Sequence, residues 1–412
     1  MLATINDKKS TLRRKIIKNL FFLKELSCNE LSELIGKSIP FTTQLLNEMI
    51  TAGQVVESGY AISTGGRRPQ MYSLPGDAFY IISVAMDQLI TRITLISTEN
   101  RYIGQIEKYD LQLANNPNSL DELIQHLKTF LKKIKIPVKN IVGIGIGMPG
   151  FVDAASGINH TFLAAQSGTI VSQIEEALGI PVMIDNDSSL IALAELKWGA
   201  AKEKQQVMVI NIGWGVGLGI IADGKLFRGK EGFAGEFSHI PIFENNKQCG
   251  CGKYGCLETE TSMVVVAQNV IRGIKEGKPS TVKNVSEDNI EDAAKKIVEA
   301  VNNGDKFSIE ELSKSAYQIG RGVAILIHLL NPELIVISGI GSLAGKAWIA
   351  PIQQAINEHC IPKIAENVEI KISNLGYHAE LIGAAALVMD NYELIRPKQI
   401  SKSILKKERV SG

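Results

Sequence analysis

The chain has 412 residues, of which 45% are hydrophobic and 21% charged, and its formal net charge is +1. This length is too great for one ordinary hydrophobic core, so two or three domains are expected. No stretch of about 18 residues stays apolar without glycine or charge, so we predict no membrane span. The basic N-terminus has no apolar segment behind it and does not resemble a signal peptide, which predicts a cytoplasmic protein.

Charge is unevenly distributed along the chain. Residues 1–75 carry ten basic and six acidic side chains, a net charge of +4, whereas the remaining residues have a net charge of −3. A basic head on a mildly acidic body indicates that the head contacts an anionic polymer. A second basic segment, at 396–412, is expected to be a solvated, frayed tail.

The first 75 residues predict three helices and a hairpin. Apolar residues recur at helical spacing from Leu12 to Phe21. Ser27 and Glu30 have the spacing of a capping box for a second helix, and Ser38 is a candidate N-cap for a third. Strand-like residues lie on both sides of a GGRRP loop at 65–69. This order of elements is the winged helix-turn-helix plan.

The third helix of the head would be the recognition helix. Its outer face is predicted to carry threonine and glutamine side chains, whose short donors and acceptors suit phosphates and base edges. The arginines of the GGRRP loop would contact DNA from a wing. Two alternatives stay open: a helical bundle with an ordinary polar face, and a linker whose arginines pair with carboxylates of the body. The predicted DNA contacts are Ser38, Thr42, Thr43, Gln44, Arg67 and Arg68.

From residue 79 onward the pattern changes to alternating strands and helices, which predicts an α/β body. A polar stretch at 277–291 is expected to be a surface loop. The predicted strands are 80–85, 93–96, 141–146, 182–184, 207–212, 218–221 and 334–337, and the predicted helices are 120–134, 169–178, 188–198, 264–274, 313–330 and 379–388.

The strongest local motif is a histidine followed by three closely spaced cysteines: His239, Cys249, Cys251 and Cys256. Intervening glycines let the backbone curl so that four ligands can surround one tetrahedral Zn²⁺. Thiols stay reduced in a cytoplasm, which favours metal over a disulfide. The alternative is three free cysteines near a histidine. We predict one structural zinc ion per chain.

Several segments of the chain resemble the ROK family of repressors, open reading frames and sugar kinases. The zinc motif is carried by AGEFSH at 234–239 and CGCGKYGCLE at 249–258. GIGMPGFVD at 145–153, DND at 185–187 and NPELIVISG at 331–339 also match. The last of these, and the head ending in GGRRP, resemble the repressor branch, which includes the N-acetylglucosamine and xylose repressors.

This resemblance implies an α/β fold with an N-terminal winged helix-turn-helix and a two-domain actin-like body of the ribonuclease H-like, sugar-kinase type. The head would cover residues 1–75. A first actin-like domain would cover 79–200 and be completed by a C-terminal helix at 379–395. A second, containing the zinc motif, would cover 201–378, and a basic tail would cover 396–412.

The resemblance also implies a sugar site. Asp187 matches the base that takes the hydroxyl proton in family kinases, a role that suits a carboxylate within hydrogen-bond reach. The position before a helix also fits an N-cap, and both roles are compatible. Sugar hydroxyls would be held by Asn186, Glu236, His239 and Glu258. His239 would then contact both zinc and sugar.

The family's phosphate loops are altered in this chain. Family kinases carry Asp-x-Gly-Gly-Thr where this chain reads from Ala85 to Leu89, so Ala85 replaces the acid, and Asp87 and Gln88 replace the glycines. A second loop carries a hydroxyl between glycines, where this chain has Trp214. Trp214 lacks a hydroxyl, and its ring would fill the space. We therefore predict a protein without kinase activity.

Together these features predict a sugar-responsive, DNA-binding transcription regulator. It would repress genes of carbohydrate uptake or catabolism and bind double-stranded operator DNA as a homodimer or a dimer of dimers. A sugar or sugar derivative would bias closure of its cleft. One alternative is an ATP-dependent sugar kinase with an appended head. Another is an interaction protein whose body docks a transport-system protein, a partner that the regulator could share.

Overall fold

The structure is a computed structural model that describes residues 2–62 and 68–395, with side chains from residue 8 onward. The chain forms two compact units: Met1–Ala78 together with Val388–Gly412, and Phe79–Leu387. We call the first unit the head and the second the body. Arg67 and the basic tail at 396–412 lie outside the described residues. No helix in the described ranges is long and apolar enough to cross a membrane.

The head is a winged helix-turn-helix, as the sequence predicts. Three helices precede a hairpin, and an early short strand completes an antiparallel sheet of order β1-β3-β2. The elements are α1 (Leu2–Leu23), β1 (Glu25–Ser27), α2 (Cys28–Ile35), α3 (Ile39–Thr51), β2 (Val56–Tyr60) and β3 (Gln70–Ser73).

A side-chain cap is present at the start of the second helix of the head but not of the third. The Ser27 hydroxyl accepts the N–H of Glu30 at 3.3 Å, and the Glu30 carboxylate accepts the N–H of Ser27 at 2.7 Å, which confirms the capping box. Ser38 occupies the N-cap position of α3, but its side chain makes no capping bond. Leu31 and Leu46 are fully buried, so packing as well as capping stabilises the helices.

The first half of the body is a five-stranded sheet of order β10-β7-β4-β5-β6. Strands β4, β7 and β10 are parallel, and the β4-β5-β6 meander is antiparallel. Two helices cover one face, and a small hairpin follows β7. The elements are β4 (Tyr80–Met86), β5 (Ile90–Ser97), β6 (Tyr102–Asp110), α4 (Ser119–Lys133), β7 (Ile141–Met148), β8 (Val152–Asp153), β9 (Ile158–Asn159), α5 (Ile170–Leu178) and β10 (Val182–Asn186).

The second half repeats the same topology, with strand order β13-β12-β11-β14-β15. Again a meander of three antiparallel strands is followed by two parallel ones. The elements are α6 (Asp187–Trp198), β11 (Val207–Ile212), β12 (Val216–Ala222), β13 (Lys225–Phe227), α7 (Glu258–Thr261), α8 (Met263–Lys275), α9 (Ile290–Asn302), α10 (Lys306–Leu330), β14 (Leu334–Ser338), α11 (Ile349–His359), α12 (Pro362–Ala365), β15 (Glu369–Ile372) and α13 (Ala379–Asp390).

Helices α6 and α13 lie between the two sheets of the body. A Cβ at Gly219 of β12 would lie 2.3 Å from the Cβ of Ala192 in α6, so the helix sits directly on the second sheet. The Glu380 carboxylate of α13 accepts the N–H of Met86 at the end of β4, on the first sheet. Two sheets of equal topology around a shared helical layer confirm the predicted actin-like α/β fold.

The observed elements extend beyond the predicted ones where tertiary contacts or caps outweigh the apolar pattern. Helix α9 begins at Ile290, inside the predicted loop at 277–291, and its burial stripe is mostly alanine and valine. Helix α10 begins at Lys306 rather than 313 because the Asp305 carboxylate caps it, accepting the N–H of Ser308 at 2.8 Å. The exposed strand β6 was missed since its charged residues obscure the alternation.

A glycine allows the two middle helices to touch. A Cβ at Gly383 of α13 would lie 2.0 Å from the carbonyl oxygen of Leu190 in α6. We expect Gly383→Ala to force the helices apart and lower the free energy of unfolding by about 1–3 kcal/mol. Thermal unfolding of the full-length protein would measure the loss. Lys132→Ala is the control because Lys132 is exposed on α4, away from both helices; equal melting temperatures of both variants would contradict this prediction.

Candidate functional site

A cleft of about 520 Å³ opens between the two sheets of the body. It lies at the carboxyl ends of the parallel strands, which is where open α/β sheets bind ligands. Met86, Asn186 and Gly339 mark the ends of β4, β10 and β14 on its wall. The cleft is lined by all five residues predicted for the sugar site, namely Asn186, Asp187, Glu236, His239 and Glu258.

The junction between β10 and α6 fixes one wall of the cleft. The N-cap of α6 is Asn186, so the suggestion that Asp187 is the N-cap was wrong by one position. The Asn186 amide oxygen accepts the N–H groups of Ser188 and Ser189 at 2.9 and 3.2 Å, and its Nδ2 donates to the carbonyl of Gly150 at 3.2 Å. The side chain of Asn186 is therefore committed to shaping the wall.

Asp187 occupies the first turn of α6 and faces the cleft. Its Oδ1 accepts the N–H of Ser188 at 2.7 Å, and its Oδ2 accepts Nδ2 of Asn211 at 3.3 Å. Burial raises the pKa of Asp187 to about 6 and outweighs these hydrogen bonds, which act in the opposite direction. A carboxyl group with such a pKa can accept a proton from a bound hydroxyl near neutral pH.

Two glutamates face Asp187 across the cleft. The pKa of Glu236 is raised to about 7, chiefly by loss of hydration and in part by the charges of Asp187 and Glu258. Oε2 of Glu236 lies 3.7 Å from Nε2 of His239, beyond hydrogen-bond distance. Acceptors and donors thus surround one space, an arrangement that suits a ligand with many hydroxyl groups.

The histidine and three cysteines of the motif converge beside the cleft. Nδ1 of His239 lies 3.5 Å from Sγ of Cys249, and Sγ of Cys251 lies 3.6 Å from Sγ of Cys256. All four candidate ligand atoms lie within 4.8 Å of one another. A tetrahedral ion bound at about 2.3 Å needs ligand atoms about 3.8 Å apart. The cluster can therefore hold a metal ion.

Glycine is required at one point of this loop. Gly255 has φ of +76°, and a Cβ there would lie 2.1 Å from the carbonyl oxygen of Phe243. The chain can turn Cys256 back toward His239 only because this position lacks a side chain. His239 presents Nδ1 to the cluster and has its other ring nitrogen nearest Glu236, so the same ring contacts both the metal cluster and the cleft.

The turn after β4 has its own internal bonding. Ala85 is buried in β4. Asp87, in the turn that follows, accepts the N–H groups of Leu89 and Ile90 at 2.8 and 2.7 Å. These N–H groups are thus directed at a carboxylate of the chain itself. In the second loop Trp214 lines the cleft between two glycines.

A buried ion pair closes the cleft behind this turn, and the sequence analysis missed it. Nη2 of Arg92 lies 3.0 Å from Oε2 of Glu380, Nη1 donates to the carbonyl of Tyr377 at 2.7 Å, and the guanidinium lies 3.8 Å from the centre of the Tyr377 ring. The pKa of Glu380 is raised to about 8, because burial outweighs the opposing effect of Arg92. The sequence signal for this pair is Arg92 itself, because an arginine within the mostly apolar strand pattern at 90–97 indicates a buried charge that needs a partner.

In the head, the structure corrects the predicted outer face of α3. Thr42 is fully buried and donates its hydroxyl hydrogen to the carbonyl of Ser38 at 3.0 Å, so it does not face outward as predicted. Thr42 lies three residues before Leu45, so the helical period places both side chains on the buried face of α3. Ser38, Thr43, Gln44 and Arg68 are exposed, and Arg67 lies outside the described residues.

Comparison with known proteins gives relatives along nearly the whole chain. The model of the ROK family matches residues 90–391. The xylose repressor of Caldicellulosiruptor bescii is 30% identical over 386 residues, which are 91% of this chain and 94% of the relative. A solved ROK family transcriptional regulator, described as a homolog of the E. coli MLC protein, covers 94% of this chain and 97% of its own at 25% identity, with a TM-score of 0.74.

The chain belongs to the ROK family. A solved ROK glucokinase from Streptomyces griseus, in complex with glucose and AMPPNP, also matches, with a TM-score of 0.62 and 25% identity. The match covers 98% of the glucokinase chain but only 75% of this one. The repressor and the regulator therefore match 91% and 94% of this chain, whereas this kinase leaves a quarter of it unmatched. This difference favours the transcription regulator over the kinase alternative.

The four-ligand cluster predicts about one bound metal ion per chain. We expect Cys256→Ser to lower the bound metal well below one per chain and to lower the melting temperature, because folding of the loop is coupled to metal binding. Elemental analysis of the purified protein would measure it. Cys360→Ser is the matched control, since Cys360 is also buried in the body but lies outside the cluster. Equal metal content in both variants would contradict the assignment.

Proposed function

We propose that this ROK-family chain is a sugar-responsive transcription regulator that represses genes of carbohydrate uptake or catabolism. The observation that carries the proposal is the match to repressors over both head and body. A winged helix-turn-helix without a ligand-binding body would have no means of response, and the body without the head would have no route to DNA. We place the regulator in the cytoplasm, where it meets both operator DNA and imported sugar.

The proposed effector site is the cleft of the body. A relative is named as a xylose repressor, and a kinase of the same fold was solved with glucose. We propose that Asp187, Glu236 and Glu258 bind hydroxyl groups of a sugar, with His239 as a further contact and Asn186 shaping the wall. Binding would favour one relative position of the two sheets and so shift the protein between two states.

The proposed DNA site is the exposed start of α3. Thr43 and Gln44 are exposed in its first turns, and Arg68 is exposed at the base of the wing. Side chains of these types recognise base edges and phosphates. Winged heads bind palindromic operators as two-fold dimers, so we propose a homodimer or a dimer of dimers.

The burial of Thr42 allows a direct test of this face. We expect Gln44→Ala to change the preferred sequence by about 1–3 kcal/mol at one base pair. Thr42→Val, which keeps the shape and removes only the bond to Ser38, should leave sequence preference unchanged. Selection of bound sequences from random duplex DNA, followed by binding titrations, would measure both. Altered preference in Thr42→Val with none in Gln44→Ala would overturn the proposed recognition face.

We propose that the metal is a structural Zn²⁺. Three thiolates and one imidazole form a soft to borderline ligand set that suits zinc. Such closed four-ligand sites stabilise a loop and leave no open position for catalysis. Here the ion would hold His239 so that its free ring nitrogen faces the cleft. Elemental analysis of metal content would distinguish zinc from other metals.

We further propose that the body does not transfer phosphate. The turn at Asp87 holds its N–H groups on its own carboxylate, and the ring of Trp214 replaces the hydroxyl of the second loop. Backbone N–H groups and hydroxyls are what nucleotide phosphates require in such loops. Behind the turn, Arg92 is already paired with Glu380.

The absence of kinase activity is open to a simple assay. With ATP, Mg²⁺ and glucose, N-acetylglucosamine, N-acetylmannosamine or xylose, we expect no sugar-dependent release of ADP. Asp187→Asn is the control, because it removes the only candidate base at the family position. Turnover near 1 s⁻¹, typical of slower kinases, that disappears in Asp187→Asn would reinstate the sugar-kinase alternative.

A further inference from the structure

Charge in the cleft is strongly one-sided. Among the described residues that line it, five are acidic: Asp87, Asp187, Glu236, Glu258 and Glu380. Glu380 is paired with Arg92, which leaves four acidic side chains without a lysine or arginine partner in the lining. The lining contains no lysine and a single arginine, Arg92. A Zn²⁺ held by three thiolates and a neutral imidazole would carry a net charge of −1, so a bound ion would not reverse the sign. An anion entering the cleft would therefore meet like charge on most sides.

The one arginine is not available to a ligand. Arg92 is 4% exposed. One of its terminal nitrogens bonds the Glu380 carboxylate and the other the carbonyl of Tyr377. Moving it toward a phosphate would leave Glu380 buried without a counter-ion, which is strongly unfavourable. Outside the lining, the nearby Arg228 is likewise bound, through two nitrogens, to the buried Asp185.

The start of α6 is the feature that could favour an anion, because helix N-termini carry a partial positive charge. Two of its N–H groups are already used. Ser188 donates to Asn186 and Asp187, and Ser189 donates to Asn186. The negative charge at this terminus is supplied by Asp187 itself. The helix start therefore stabilises a carboxylate of the chain, and the N–H groups of Ser188 and Ser189 are not available to a phosphate.

The apolar part of the cleft includes several aromatic rings. Phe151, Phe162, Trp214 and Phe233 all line it. Phe233 packs edge-on against Phe151 at 5.7 Å and against His160 at 5.8 Å between ring centres, which joins the loops of the two sheets. Aromatic rings pack well against the apolar C–H face of a sugar ring and give nothing to a phosphate.

We propose that the effector is an uncharged sugar and that the cleft excludes the corresponding sugar phosphates. Asp187, Glu236 and Glu258 bind its hydroxyl groups, and the aromatic rings pack against its C–H faces. The inference rests on the proposed sugar response and specifies the chemistry of the same site. We expect a phosphate group on the sugar to weaken binding through electrostatic repulsion. Removing or adding a charge on the cleft wall should change the size of this effect.

The first experiment compares matched pairs of ligands by calorimetric titration of the full-length protein. The pairs are glucose with glucose 6-phosphate, and N-acetylglucosamine with N-acetylglucosamine 6-phosphate; xylose and cellobiose are further neutral probes. For any sugar that binds, we expect the phosphate to bind at least about 100-fold more weakly. Phosphates that bind as tightly as their neutral partners, or more tightly, would overturn the inference.

Two wall residues outside the proposed hydroxyl contacts provide opposite charge changes. Asp87→Asn removes one charge and keeps the oxygen that accepts the N–H groups of Leu89 and Ile90. Gln88→Glu adds one charge at the neighbouring position, which also lines the cleft. The ratio of phosphate to neutral dissociation constants should fall about threefold or more in Asp87→Asn and rise by a similar factor in Gln88→Glu.

The affinity for the neutral sugar should stay within about twofold of the wild type in both variants, since neither side chain is a proposed hydroxyl contact and the altered charge acts mainly on an ionic ligand. A ratio that is the same in all three proteins would show that wall charge does not select the ligand, and would overturn the inference. If neither neutral sugars nor phosphates bind, the proposed sugar response fails and the inference fails with it. A preference for phosphates would instead overturn the inference alone.

Discussion

The geometry of the cleft depends on one interaction, the ion pair between the buried carboxylate of Asp185 and Arg228. Oδ1 of Asp185 accepts the N–H of Asn186 at 2.9 Å, and its Oδ2 accepts both Nε and Nη2 of Arg228 at 3.0 and 2.7 Å. A carboxylate that is 2% exposed is tolerated only with such a partner. The pair ties the last strand of the first sheet to the chain that leaves the second sheet, and so fixes the start of α6.

The residues that follow Asp185 and Arg228 in the chain form the rest of the site. Asn186 caps α6, which places Asp187 at the helix start and in the cleft. The segment that begins at Arg228 runs through Phe233 to Glu236 and then to His239, so the same stretch of chain carries an inter-sheet aromatic contact, an acid and a metal-cluster ligand. Displacing any one of these groups would strain its neighbours, since they share one backbone path.

The cleft has a polar centre, and the turn that follows β4 is bonded internally. Asp87 bonds the N–H groups of its own turn, and Arg92 and Glu380 satisfy each other behind it. The N–H groups of this turn have acceptors within the chain, so they do not require a ligand to satisfy their hydrogen bonding. A fold shared with kinases can in this way serve as a binding body, because the fold supplies position and the loops supply chemistry.

The sequence by itself determined the class of fold, the winged head and the metal cluster. Each depends on local information: period, capping residues, and ligands that lie within 18 residues of one another. It did not determine that Thr42 is buried, that Arg92 pairs with Glu380, or that Arg228 holds Asp185. The burial and the two ion pairs depend on which elements pack together. Only the tertiary structure brings residues so distant in sequence within bonding distance.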